Sequence, residues 1–208
     1  MTTGKFIALE GGEGAGKSTQ ARLLADALRR RGVDVVLTRE PGGTPGAEAI
    51  RELLLSTEGA GWNLRAEALL FAAARSDHVE RLIRPALAAG QWVICDRYLD
   101  SSRAYQGGGG GLADSDIRAL HAFGSGNLVP DLTVLVTVSP STALERLTLR
   151  DGEGSDRIGA RPAEYHARVA AAFERFARDE ADRFALVDGN GTIETTHTAT
   201  LAAVDQLA

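Results

Sequence analysis

Residues 6–18 read Phe-Ile-Ala-Leu-Glu and then Gly-Gly-Glu-Gly-Ala-Gly-Lys-Ser. The first five residues are mostly apolar and predict a buried strand. The next eight match the pattern G-x-x-x-x-G-K-[ST], in which glycines let backbone N–H groups approach a polyphosphate closely. A helix that starts here directs the positive end of its dipole at the anion. This stretch therefore predicts a phosphate-binding loop between a strand and a helix.

Within this loop, Lys17 is expected to reach the β- and γ-phosphates and Ser18 to bind Mg²⁺. A glycine-rich turn that matches the pattern by chance is the alternative. The strand before the loop and the helix after it favour nucleotide binding. The predicted ATP-binding residues are Gly11, Gly12, Glu13, Gly14, Ala15, Gly16, Lys17, Ser18 and Thr19.

Length and composition indicate one globular domain over residues 1–208, with 44% apolar and 25% charged residues. The net charge of −5 argues against broad binding to nucleic acid or to an anionic membrane. Cys95 is the single cysteine, which fits a reducing compartment, and it is expected to be a buried, inert thiol. No apolar stretch is long enough for a signal peptide or a membrane span. We expect a soluble cytoplasmic protein.

Strands and helices alternate along the chain. The predicted strands are 6–10, 33–38, 92–96, 132–138 and 184–187. The predicted helices are 19–31, 47–55, 64–89, 114–123, 141–149, 163–178 and 192–207. Residues 64–89 are expected to form one long helix or two joined pieces. A core stripe runs from Leu69 to Ile83, and Pro85 marks a break or a new helical start. The fold class is therefore α/β, with a parallel sheet of about five strands and helices on both faces.

Charged residues follow two of these strands. Arg39, Glu40 and Pro41 end the second strand, where open α/β sheets bind ligands, although the first two could form a surface ion pair instead. Asp96 ends the third strand, as a carboxylate partner of Mg²⁺ does in phosphate-binding folds, and Arg97 follows it. The pair suits a metal-bound nucleotide beside a second phosphate. A simple salt bridge at the strand end is the alternative.

Three further segments each have two interpretations. Phe71 and Arg75 share a helix face, so the ring is either core or a platform for a flat base. The glycine run 107–111 is either a bare linker or, as we favour, a mobile loop near the site. Residues 150–162 are charged and glycine-rich, which favours a lid that closes on substrate over a plain solvated loop.

Several motifs occur together in one order. After the phosphate-binding loop come Arg-Glu-Pro-Gly-Gly-Thr (39–44), Phe-Ala-Ala-Ala-Arg (71–75), Asp-Arg-Tyr (96–98), Ser-Ser-Arg-Ala-Tyr-Gln-Gly (101–107) and Asp-Arg-Ile (156–158). The chain thereby resembles the bacterial thymidylate kinases over nearly its whole length. The resemblance implies a P-loop kinase fold with a small lid at 150–162. It also implies a homodimer that transfers the γ-phosphoryl group of ATP to dTMP with Mg²⁺.

The same resemblance assigns roles to individual positions. Phe71 is expected to stack on thymine, Arg75 to bond the base, Arg97 to hold the monophosphate, and Tyr105 to crowd the 2′ position of the sugar. Asp96 would orient the transfer centre and, with Ser18, the metal. The full set expected around dTMP is Glu13, Arg39, Glu40, Pro41, Phe71, Arg75, Arg97, Ser101, Ser102, Tyr105 and Gln106.

The family carries a catalytic arginine either in the phosphate-binding loop or in the lid. Position 14 is glycine here, so the resemblance points to the lid, with Arg157 as first choice and Arg150 as second, beside Lys17 and Asp96. Two positions depart from the family pattern: Gly159 replaces a common acid, and Gly110 replaces a common arginine.

Two other functions fit parts of the sequence. One is a P-loop kinase for another nucleoside or nucleoside monophosphate. The other is a nucleotide-dependent regulatory ATPase. The chain lacks the Asn-Lys-x-Asp motif by which GTPases read guanine, and a switch would not need a second, arginine-rich pocket.

Overall fold

The computed structural model describes residues 4–150 and 156–207, without the side chain of Arg150. Five parallel strands form one sheet in the order β2-β3-β1-β4-β5. The strands are β1 (Phe6–Glu10), β2 (Val35–Arg39), β3 (Trp92–Asp96), β4 (Leu132–Thr137) and β5 (Phe184–Asp188). The predicted parallel α/β sheet is confirmed, and the phosphate-binding loop leaves its central strand.

Nine α-helices connect or flank these strands in the described part of the chain. They are α1 (Lys17–Arg30), α2 (Pro45–Leu55), α3 (Leu64–His78), α4 (Arg84–Ala88), α5 (Leu99–Ser102), α6 (Asp114–Ser125), α7 (Pro140–Arg150), α8 (Ala163–Asp179) and α9 (Ile193–Val204). Two π-helical segments, Val79–Ile83 and Arg103–Gly109, continue α3 and α5. None of the described helices combines the length and apolar character needed to cross a membrane.

Both faces of the sheet are covered, as the apolar run of β1 predicts. Ile7 and Leu9 point to one face, where they pack with α1 and α9. Phe6 and Ala8 point to the other face, where they pack with the 79–83 segment and α6. Alternate side chains of a strand face opposite sides, so a strand that is apolar at every position needs helices on both.

The rotation of α3 differs from the prediction. Leu69, expected in the core, is 55% exposed, whereas Glu67, Arg75 and His78 are buried. These three residues, spaced eight and three positions apart, share one helix face, and that face points into the molecule. The inward face of α3 therefore carries polar side chains beside the buried Ala68 and Ala74. Pro85 lies in the first turn of α4, where a proline needs no N–H donor.

The glycine run also differs from the predicted mobile loop. Residues 103–109 form a π-helical segment that packs against α8. A Cβ atom at Gly108 would lie 2.5 Å from the Cβ of Ala172, and one at Gly109 would lie 2.6 Å from Cε2 of Tyr165. Gly108 and Gly109 are therefore required by close packing between the 103–109 segment and α8.

Candidate active site

The phosphate-binding loop occupies the turn between β1 and α1. A Cβ at Gly11, whose φ is +142°, would lie 2.3 Å from the carbonyl oxygen of Val136 on β4. A Cβ at Gly14 would lie 2.7 Å from the carbonyl oxygen of Ala143 on α7. Position 14 therefore has no room for a side chain in this arrangement, which agrees with the absence of an arginine there.

Lys17 begins α1 and points back across the loop. Its side chain is buried, and Nζ donates a hydrogen bond to the carbonyl oxygen of Gly12 at 2.6 Å. Burial, and then repulsion from Arg97, lower the pKa of Lys17 to about 8. A polyphosphate beside Nζ would stabilise its charged form, because an opposite charge offsets the cost of burial.

Ser18 and Asp96 meet because β1 and β3 are neighbours, with Leu9 paired to Asp96 in the sheet. Ser18 Oγ donates a hydrogen bond to Asp96 Oδ2, while the buried Asp96 Oδ1 has no partner among the described residues. A hydroxyl and a carboxylate oxygen suit Mg²⁺, which commonly takes its remaining ligands from water and substrate phosphates. The described residues contain no group of three His, Cys, Asp or Glu side chains that could bind a metal alone.

Arg97 follows β3 in a left-handed backbone conformation, with φ of 68°. Its guanidinium donates to the carbonyl of Gly11 and to Ser101 Oγ, both at 3.2 Å, and to Glu13 Oε1 at 2.6 Å. It also lies 5.0 Å from the ring centroid of Tyr105. Strained backbone of this kind persists where surrounding contacts hold it, and here it directs a cation towards the phosphate-binding loop.

A second group of residues surrounds Arg75 on α3. The Nε atom donates to Glu40 Oε2 at 2.7 Å, and Nη2 donates to the Tyr98 carbonyl at 3.1 Å and to Ser102 Oγ at 2.9 Å. His78 Nδ1 lies 3.0 Å from the other oxygen of Glu40. These contacts hold a buried guanidinium in one orientation, one turn of helix from Phe71.

Tyr105 and Gln106 enter the site from the 103–109 segment. The hydroxyl of Tyr105 donates to Glu13 Oε1 at 3.2 Å, so the phosphate-binding loop and this segment touch directly. Burial raises the pKa of the Tyr105 phenol above its usual range, which keeps the hydroxyl protonated. The Gln106 side chain donates from Nε2 to Glu67 Oε1 at 2.9 Å.

One cavity of about 780 Å³ joins these groups. Its lining includes most of the residues that the sequence predicts: Glu13, Gly14, Gly16, Lys17, Ser18, Thr19, Arg39, Glu40, Pro41, Phe71, Arg75, Asp96, Arg97, Ser101, Ser102, Tyr105 and Gln106. The structure thus brings the predicted phosphate-binding loop and the predicted acceptor pocket together in one space.

Arg39 and the lid residues occupy places that the sequence did not specify. Arg39 lines the cavity but donates from Nη2 to both carboxylate oxygens of Glu48 on α2, each at 3.2 Å, and not to Glu40. Arg157 does not line the cavity: it donates to the carbonyls of Ser56 at 2.6 Å and of Glu58 at 2.5 Å. The side chain of Arg150, and residues 151–155 of the predicted lid, lie outside the described part of the structure.

Three arginines that the sequence did not single out also line the cavity: Arg22 on α1, Arg51 on α2 and Arg146 on α7. Arg51 on α2 donates to the carbonyl of Pro41 at 2.8 Å. Arg146 on α7 lies over the phosphate-binding loop, 3.5 Å from the carbonyls of Gly14 and Ala15, and donates to the carbonyl of Gly189 at 2.7 Å. Each lies inside an ordinary amphipathic helix, so no local pattern distinguishes it from a surface arginine.

A smaller cavity of about 340 Å³ lies on the other side of Arg146. It is bordered by the start of α1, at Gly16 and Thr19, and by the loop before α9, at Gly191 and Thr192. Arg146 lines both cavities, so the phosphate-binding loop has space on either side of it.

Comparison with known proteins agrees with this site. Thymidylate kinase from Rhizorhabdus wittichii is 57% identical to the chain over 189 residues, which cover 91% of each protein. Thymidylate kinase from Caulobacter vibrioides is 47% identical over 199 residues, which cover 96% of this chain and 95% of that protein. The crystal structure of thymidylate kinase from Ehrlichia chaffeensis superposes with a TM-score of 0.80 at 32% identity, covering 97% of this chain and 99% of that one. The thymidylate kinase family model matches residues 9–200. With that match over nearly the whole chain, and with these relatives, the chain belongs to the thymidylate kinase family.

Proposed function

We propose that the chain, acting as a single kinase domain, transfers the γ-phosphoryl group of ATP to dTMP and releases dTDP and ADP. The observation that carries this proposal is the continuous cavity, with Lys17 and Ser18 at one end and Arg97, Arg75 and Phe71 at the other. A polyphosphate donor and a nucleotide acceptor then share one space. A site for ATP alone would not need the second, arginine-rich end.

In this mechanism a phosphate oxygen of dTMP forms a bond to the γ-phosphorus as the bond to the ADP oxygen breaks. Such transfers depend on alignment and on neutralisation of charge more than on covalent chemistry. Lys17 would neutralise charge on the transferred group, and Arg97 would hold the acceptor phosphate in line. The acceptor is already anionic near neutral pH, so no general base is needed.

Mg²⁺ belongs to the proposal as the cofactor. Ser18 Oγ and the unpartnered Asp96 Oδ1 would hold it, and the ion would supply positive charge to the phosphates of ATP. Asp96→Asn should weaken the binding of ATP in the presence of Mg²⁺ more than in its absence, measured by calorimetry. Equal effects in both conditions would remove Asp96 from the metal site.

We infer the orientation of ATP from the two cavities. With the phosphates on the loop, we place the nucleoside end in the smaller cavity beside Thr192, where Arg146 would cover it. The lid would close over the phosphates and exclude water, which limits hydrolysis of ATP. A lid arginine, Arg157 or Arg150, would supply further positive charge to the transferred phosphoryl group. Arg157 would first have to leave the carbonyls of residues 56–59.

The test is release of ADP in a coupled assay, with and without dTMP. We expect release to depend on dTMP, and Arg97→Ala to raise the KM for dTMP strongly while ATP binding is retained. A panel of other nucleosides and monophosphates as acceptors tests the alternative that the enzyme serves another acceptor. Release of ADP without any acceptor would favour the regulatory ATPase instead.

We also propose a cytoplasmic homodimer. Helices α3 and α6, which pack side by side, each present an outward apolar side chain, and Phe123 on α6 is 96% exposed. A second copy of this chain would cover these residues. Cys95, the single cysteine, is a buried free thiol, as a reducing compartment allows.

A further inference from the structure

Glu67 is a buried carboxylate on α3 that the mechanism does not use. Its side chain is 3% exposed and has two partners. Oε2 pairs with the guanidinium of Arg161, just before α8, and Oε1 accepts the hydrogen bond from Gln106. Burying a charge without partners is costly, and the guanidinium of Arg161 supplies the opposite charge beside this buried carboxylate.

An ionised carboxylate can only accept hydrogen bonds, and this decides how the Gln106 amide is turned. The NH₂ group must face Glu67, at the observed 2.9 Å. The amide oxygen Oε1 then faces away from Glu67, and it has no partner among the described residues. Gln106 lines the large cavity, so at this position it presents the acceptor Oε1, and not a donor, to a bound molecule.

Arg75 supplies the complementary group. Its Nε and Nη2 atoms are engaged by Glu40, Tyr98 and Ser102, whereas Nη1 has no partner in the described part of the chain. Arg75 also lines the cavity. A fixed donor and a fixed acceptor match a pyrimidine that presents a carbonyl beside a ring N–H. Cytosine presents the reverse, an amino group beside a ring acceptor.

We propose that Glu67 is a positioning residue that selects a 4-oxo over a 4-amino pyrimidine, by holding the Gln106 amide with its oxygen towards the base. This inference rests on the proposed function. A base with the reversed pattern would leave Gln106 Oε1 and Arg75 Nη1 opposite groups of the same kind, and sites built on hydrogen bonds reject such analogues strongly.

The test compares kcat/KM for dTMP with kcat/KM for dCMP. Glu67→Gln keeps the shape of the side chain but can donate as well as accept, so the Gln106 amide becomes free to turn over. We expect the preference for dTMP over dCMP to fall by about 10-fold or more, because one fixed hydrogen bond no longer distinguishes the two bases. Loss of stability alone would lower kcat/KM for dTMP and for dCMP by the same factor and leave their ratio unchanged.

Arg161→Lys is the matched control, because it keeps a positive charge opposite Glu67 and leaves the Glu67 carboxylate facing Gln106. It should keep the preference for dTMP. If Glu67→Gln does not fold, as judged by circular dichroism, Glu67→Met provides an unbranched apolar replacement and should lower the preference similarly. An unchanged ratio in the folded Glu67 variant, or an equal fall in Arg161→Lys, overturns the inference. A wild-type enzyme that does not phosphorylate dTMP would instead overturn the proposed function.

Discussion

Gly109→Ala tests whether the glycine run is a packed element or a bare linker. A Cβ at this position would lie 2.6 Å from Cε2 and 2.8 Å from Cζ of Tyr165, and 2.8 Å from Cγ2 of Val169. The Tyr165 ring has little freedom to move away. Its hydroxyl donates to the carbonyl of Tyr105 at 2.8 Å and accepts from Arg161 at 2.7 Å. The new methyl group must therefore displace a buried side chain or the 103–109 segment.

The expected cost follows from two opposing effects. Overpacking a core costs about 1–3 kcal/mol, and replacing glycine by alanine recovers about 0.4–1 kcal/mol from the unfolded chain. We expect a net loss of about 1–2 kcal/mol in the free energy of unfolding. For a chain of this size that lowers Tm by roughly 2–8 °C. Urea denaturation followed by circular dichroism measures the free energy directly.

Gly107→Ala is the matched control two residues away. A Cβ there would meet only the carbonyl oxygen of Leu112, at 3.5 Å, which is an ordinary contact. This variant should be as stable as the wild type or slightly more stable. Gly109→Ala should also raise the KM for dTMP, because Tyr105 and Gln106 lie on the displaced segment. Equal stability of the two variants would refute the packing argument and favour the linker.

Three further predictions concern charge and assembly. Because the phosphate-binding loop has no arginine, at least one of Arg157→Ala and Arg150→Ala should lower kcat by roughly 10³-fold with little change in the KM for dTMP. Near wild-type turnover in both variants would remove Arg157 and Arg150 from the catalytic role. The pKa of Lys17, about 8, lies below its usual value, so the side chain loses its proton as the pH rises through that value. ATP should restore the proton, and calorimetry in buffers of different ionisation enthalpy should show proton uptake on binding at about pH 9 but not at about pH 6. Uptake that is the same at both pH values would contradict this. Phe123→Asp should weaken the dimer by roughly 10²- to 10⁴-fold in sedimentation experiments, since each of the two protomers loses a side chain that contributes about 1.5–3 kcal/mol when buried. A wild-type protein that sediments as a monomer would rule the dimer out.

Most of the scaffold was predictable from short patterns. The strand over residues 92–96 matches β3 (Trp92–Asp96), and α1 begins at Lys17, two residues before the predicted start. Apolar periodicity and the glycine pattern of a phosphate-binding loop are properties of neighbouring residues. These predictions agree with the tertiary structure because the sheet buries the same side chains that the apolar pattern identifies.

Some predictions depended on partners that are distant in sequence, and these could not be made from local patterns. Leu69 has the hydrophobicity of a core residue, yet α3 turns it outward so that Glu67 and Arg75 reach their partners. Arg157 has the sequence context of a lid arginine, yet in this structure it binds carbonyls of the loop at residues 56–59. Which way a helix rotates depends on the sum of contacts on all its sides.

The sequence alone determined the phosphate-binding loop, the α/β class and the residues from which an acceptor pocket could be made. Only the tertiary structure decided that Asp96 meets Ser18, that Gly14 is closed off by α7, and that the Gln106 amide donates to Glu67. The physical reason is the distance in sequence over which each kind of interaction acts. Strand and helix formation and the turn of a glycine loop are governed by residues a few positions apart. A hydrogen bond between side chains tens of residues apart exists only once the sheet has set its register and the helices have packed on it.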